Sequence, residues 1–125
     1  WLPRFSLTAW LVLCAAAAVL RMGITASSAA IWPLLLLAQA LHWLTFAAHH
    51  SVCIALLSHH FPGTLRGRGQ ALYAVLGYGL PGVLTGLAGG LLSARFGLVS
   101  VFWAALVSSV LATVCAWQVW RLRHR

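Results

Sequence analysis

Aspartate, glutamate and lysine are missing from the whole of this 125-residue chain. Without carboxylate side chains, a carboxylate-based active site is excluded within it. Charge of any kind is scarce: charged residues are 6% of the total, and all 8 are arginines. A soluble domain this small needs a polar surface several times richer in charge. Cysteine is sparse as well. Cys14, Cys53 and Cys115 are odd in number, isolated and set in apolar sequence. That spacing suits neither a zinc site nor a disulfide framework, and the three read as small packing residues.

What the chain does have is hydrophobic length. It is 62% hydrophobic, with a mean hydropathy of +0.95. Between its arginines lie apolar stretches about 20 residues long, enough for a helix to cross a hydrocarbon core of ~30 Å. The composition therefore predicts an all-α integral membrane protein. A net charge of +8 would otherwise point to nucleic acid, but such binding needs basic side chains along one solvated face. Here whole apolar spans separate them, so no nucleic-acid partner is expected.

Four helices are predicted, over about 5–24, 31–57, 69–94 and 98–120. Pro33 is tolerable in a first helical turn, Pro62 and Gly63 break the chain after the second helix, and "RFG" at 95–97 makes a tight turn. The opening imitates a signal peptide, with Arg4, an apolar run and then small residues. Arg21 falls between that run and the candidate cleavage site, which fits poorly, so a first membrane span is expected instead. Because the chain begins at Trp1 and enters an apolar run almost at once, it is expected to be a fragment of a longer protein.

An even number of crossings puts both ends and the 58–68 loop on one side. That side holds Arg4, Arg66, Arg68, Arg121, Arg123 and Arg125, against Arg21 and Arg95 on the other. By the positive-inside rule the richer side is cytoplasmic, in a cell's inner membrane. Trp32 and Trp103 would then lie near the outer interface, and Trp117 and Trp120 near the inner one. The loop motif Pro62, Arg66, Gly67 and Arg68 would sit beside anionic lipid headgroups, each arginine adding about 1 kcal/mol of attraction. Arg66 and Arg68 also stand where a helix dipole is already positive. Their counter-charge must come from lipid or from protein outside this chain.

Polar residues in lipid are costly, so those within the spans are candidate functional residues. The second helix carries "QALHWLTFAAHHSVCIALLSHH". At α-helical spacing His42, His49 and Cys53 share a face, flanked by Gln39, Thr45 and Phe46, while His50 lies on the adjoining face. Each imidazole could equally be a neutral hydrogen-bonding partner for a neighbouring helix. Arg21 could contact an anion in a cavity or reach back to the headgroups. In the third helix Gly82, Gly86 and Gly90 recur every four residues, a face that lets another helix approach closely. That face serves either fixed packing or a sliding surface. Pro81 is expected to kink the same helix.

Several chemistries fit such a chain. Bis-histidine haem needs ligands from facing helices, and the deep histidines are all on one, so haem would require a dimer. Transition-metal transport through the histidine pairs lacks a further ligand of known position. Handling of a substrate or proton in a polar cavity needs only the histidines themselves. A small interaction subunit docking through the glycine face is a further alternative.

The segments "LLLLAQALHWLTFAAHHSVCIALL", "FPGTLRGRGQALY" and "GGLLSARFG" together resemble the last four helices of a major facilitator superfamily transporter. The likeness is greatest to the phenylpropionate permease group, relatives of the lactose permease and the nucleoside–proton symporters, and covers nearly the whole chain. It implies helices nine to twelve of a twelve-helix, proton-coupled symporter working by alternating access, without enzymatic activity or a cofactor. It implies a small organic substrate such as an aromatic acid, and as partners membrane lipid and the missing N-terminal helices. Arg21 and His42 match cavity residues of the lactose permease. Thr45 stands where that permease has a proton-handling glutamate, and a threonine cannot take that role.

Overall fold

The computed structural model describes residues 6–28 and 30–123. It contains four helical spans, Leu7–Ser27, Trp32–His60, Gly63–Phe96 and Leu98–Arg123, all long and apolar enough to cross a membrane. The all-α expectation holds. Arg4, Phe5 and Arg125 lie outside the described residues.

Local signals explain where each span starts and stops. Ser6 caps the first span, its hydroxyl accepting the Ala9 amide at 3.2 Å. Pro33 occupies the first turn of the second, where its missing amide costs nothing. The break after that span is shorter than expected. The second span runs on to His60 and the third begins at Gly63, so Arg66 and Arg68 belong to a helix and not to a loop over 58–68. The reason is that Pro62 is extended (φ −74°, ψ 158°) and Gly63 turns the chain at φ 63°. Those two residues complete the reversal by themselves. At the other end Gly97, at φ 82°, makes the turn from Phe96 into Leu98.

The first span is the hub. It packs against the second and makes its most extensive contact with the fourth, while the third is held by the second and fourth. Small side chains allow this closeness: the run from Cys14 to Ala18 is almost all alanine, and a Cβ at Gly23 would lie 3.9 Å from Leu106. Among the described residues few are buried, namely Thr8, Cys14 and Ala26 on the first span, Ala38 and Val52 on the second and Gly69 on the third. Large apolar side chains such as Leu36, Val83, Leu87 and Leu111 remain exposed, as expected where lipid or further helices supply the surroundings. Trp32 and Trp103 are likewise exposed, and the Arg121 guanidinium lies 5.4 Å from the Trp117 ring, a cation–π contact.

The ends alternate as four crossings require. Arg123 Nη2 lies 2.7 Å from His60 Nε2, and Ser6, Thr8, His59 and Arg123 line one small cavity. His60 Nδ1 donates to the Leu56 carbonyl at 2.8 Å, which leaves Nε2 to accept from Arg123. This joins the end of the second span to the end of the fourth.

One backbone approach is tight. A Cβ on the buried Gly69 would come within 2.8 Å of the Phe61 ring. Gly69→Ala should therefore destabilise the bundle by about 1–3 kcal/mol, read as unfolding in detergent. Phe61→Ala in the same protein should restore most of that loss; an additive double mutant would refute the contact.

Candidate functional site

Neither the second nor the third span is a continuous α-helix. Each carries one π-helical turn, Leu44–Ala48 in the second and Val75–Gly79 in the third. In the third, Pro81 explains the position. It has no amide to donate and its ring crowds the carbonyl four residues back, and a widened turn just before it relieves both. In the second, the Thr45 hydroxyl takes the His42 carbonyl at 3.1 Å. It competes there for an acceptor of the regular helical ladder.

The consequence is a change of register. One extra residue rotates everything beyond it by about 100° relative to a continuous α-helix. His49 shares a face with His42 on an unbroken helix; after the π turn it is His50 that does. In the third span Tyr73 and Tyr78 would point about 140° apart on an α-helix. Tyr78 lies within the π turn, whose wider winding brings the two hydroxyls to 3.1 Å.

Two linked clusters result. In the first, Arg21 Nη1 is 2.6 Å from His42 Nδ1 and donates to Thr45 Oγ1 at 2.9 Å. A guanidinium only donates, so His42 Nδ1 is the acceptor and the ring carries its hydrogen on Nε2. Both hydrogens of Nη1 are thereby used. His42 lies ten residues into its span, about 15 Å along the helix axis from its start. In the second cluster His50 Nδ1 is 3.2 Å from the Tyr78 hydroxyl, and the His50 ring also lies 5.9 Å from that of Tyr73. Phe46 joins the two: it stacks on His42 at 5.6 Å and meets Tyr78 edge-on at 6.4 Å.

Of the residues singled out in the sequence, Arg21, His42 and Thr45 come together, and all three approach within hydrogen-bond distance. Gln39 is exposed one turn away. His49 points elsewhere, with its Nε2 3.7 Å from Cys53 Sγ. Pro62, Arg66, Gly67 and Arg68 lie at the end of the bundle where His60 and Arg123 meet, far along the chain from the cluster. A Cβ added to Gly82, Gly86 or Gly90 would meet nothing within 4 Å; Gly89 faces the fourth span instead, 3.6 Å from Val101. Sequence periodicity missed Tyr73 and Tyr78, although they are the only 2 tyrosines. A spacing of five matches no α-helical face, and only Pro81 hinted at the distortion that aligns them.

Four long apolar spans with polar side chains meeting between them define a multi-pass membrane protein. The model of the MFS_1 like family matches residues 1–119, and the chain belongs to that family. Its work is membrane transport and not enzymatic catalysis. No match is found among curated proteins or among solved structures.

The register is directly measurable. With the native cysteines replaced, the pair His50→Cys/Tyr78→Cys should cross-link under mild oxidation and His49→Cys/Tyr78→Cys should not. Deleting Ala47 removes the extra residue of the π turn and leaves His50 seven positions after His42 on a regular α-helix, so the preference for His50 should persist.

Proposed function

We propose that these four spans are helices nine to twelve of a proton-coupled symporter for a small organic anion, with aromatic acids of the phenylpropionate type as the substrate class. Membership of the MFS_1 like family supports transport in general. The finer reading rests on one observation, the Arg21–His42 hydrogen bond of 2.6 Å at membrane depth.

The argument is one of competing charges. Arg21 has no carboxylate to pair with anywhere in the chain, so its charge is matched only by the neutral acceptors of His42 and Thr45. An arginine deep in the bilayer costs ~2.5–3.5 kcal/mol on insertion scales. An anionic solute supplies what the protein lacks, and the Nε and Nη2 hydrogens of Arg21 are the donors left to meet it. Phe46, stacked beside His42, offers an aromatic face to the rest of the solute.

Proton coupling follows from the tautomer. A second proton on His42 can go only to Nδ1, the atom that accepts from Arg21. Protonation breaks that bond and sets a second positive charge next to the guanidinium, so proton and anion favour each other's binding. His49, beside Cys53, is a second candidate for the proton. Gln39 would contact solute from the turn above.

The remaining features belong to the larger machine. The open face of Gly82, Gly86 and Gly90 would receive a helix from outside these four spans. Arg66 and Arg68 would latch the cytoplasmic side against acidic groups there, with membrane lipid as their other partner. Four helices alone do not enclose a path between two lobes.

His42→Ala in the full-length transporter should abolish uptake or strip it of its pH dependence; uptake unaltered in both respects would reject the role. Single cysteines introduced at residues 63–69 should react with an impermeant maleimide only from the cytoplasmic side. Labelling from outside would overturn the orientation in the inner membrane.

A further inference from the structure

We infer that His50, Tyr78 and Tyr73 form a proton relay beside the Arg21–His42 pair, a proposal that rests on the symport reading. His50 Nδ1, the Tyr78 hydroxyl and the Tyr73 hydroxyl stand in sequence at 3.2 and 3.1 Å. Each of these groups both donates and accepts, so the row can run in either direction. Placing one polar side chain within a membrane span is costly. Here three are assembled, from two spans, and each span departs from regular α-helix to bring them into line. Packing alone would be served as well by phenylalanine at 73 and 78.

The two arrangements of the row differ in the His50 tautomer and in the direction of both hydrogen bonds. In the first, His50 Nδ1–H donates to the Tyr78 oxygen, and the Tyr78 hydroxyl donates to the Tyr73 oxygen. A proton arriving at His50 Nε2 drives the Nδ1 proton to Tyr78, the Tyr78 proton to Tyr73, and the Tyr73 proton to a water molecule. One proton enters, one leaves, and all three groups end neutral. In the second arrangement Tyr73 donates to Tyr78, Tyr78 donates to His50 Nδ1, and His50 carries its hydrogen on Nε2. The start is restored when the hydroxyls turn and His50 loses its Nε2 proton to water and takes one back on Nδ1. His50 and Tyr78 are exposed on the face they share with Phe46, so Nε2 is reachable from the side where the solute would sit.

The charged and titratable groups around the relay are few. On the second span they are His42, His49 and Cys53, and the Cys53 thiol lies against both His49 and, by a hydrogen bond, the Tyr73 hydroxyl. On the third they are Tyr73 and Tyr78 themselves, and from the first span Arg21 acts through His42. The chain places no carboxylate beside the relay; the Cys53 thiol is the acidic group in contact with it, at Tyr73.

Two measurements on the full-length protein test this. The first needs no solute: 15N NMR of the His50 ring, assigned with His50→Gln. In the wild type the two arrangements exchange, and the ring nitrogens give averaged shifts. Tyr73→Phe keeps the ring but leaves Tyr78 only His50 to donate to, so Nδ1 should become a fixed acceptor with its own shift. Unchanged His50 shifts in Tyr73→Phe would overturn the relay. The second measurement is proton flux in proteoliposomes with 3-phenylpropionate as the probe. Tyr78→Phe should lower coupled proton flux by about tenfold or more, while exchange of the probe without net proton movement continues. Full coupling in Tyr78→Phe would overturn the relay and leave symport standing. A wild type that moves the probe without protons would overturn symport and the relay with it. If the wild type does not move the probe, the substrate class is wrong and the NMR result alone decides the relay.

Discussion

An arginine set inside an apolar span of a chain with no acidic residue is the constraint on which the polar interior depends. A guanidinium removed from water needs acceptors, and in most proteins a carboxylate supplies them. Here only imidazole, hydroxyl and carbonyl groups are on offer. Arg21 takes one imidazole nitrogen and one hydroxyl, and by doing so selects the tautomer of His42 and recruits Thr45 from the next turn. No carboxylate of this chain neutralises the positive charge.

The same pairing is tied to backbone geometry. Thr45 serves Arg21 while its own hydroxyl occupies the His42 carbonyl, at the edge of the π turn Leu44–Ala48. That turn selects which histidine follows His42 around the helix. The third span has its own π turn, placed by Pro81, and it carries Tyr78 to the matching position. Two irregularities with different local causes thus meet across one interface, and the ring of Phe46 fills the contact between them. Side chains that a regular helix would scatter around its circumference become neighbours.

Much of the exterior is apolar. The core amounts to a few small side chains around the first span, while leucines and valines cover the outside of the third and fourth. The glycine face at 82, 86 and 90 is open along its length, and the tight helix contact of the third span uses Gly89 instead. Periodicity identifies a face on which a helix could approach closely. It does not identify the neighbour, because helical spacing carries no information about what lies across from it.

Composition and pattern by themselves determined the class: four apolar runs of membrane-crossing length, arginines gathered at one end, and no acids. Those properties follow from transfer energies that act residue by residue, so they survive without coordinates. Pro62 with Gly63, and Gly97, marked both visible turns for the same reason, since each is a local backbone preference. The pairing of Arg21 with His42 was only a matter of likeness until the first and second spans were docked. The tyrosine cluster was not legible at all, because angular arithmetic assumes an unbroken helix and a single inserted residue shifts every face beyond it. Only the tertiary structure decided that His50, and not His49, stands with His42.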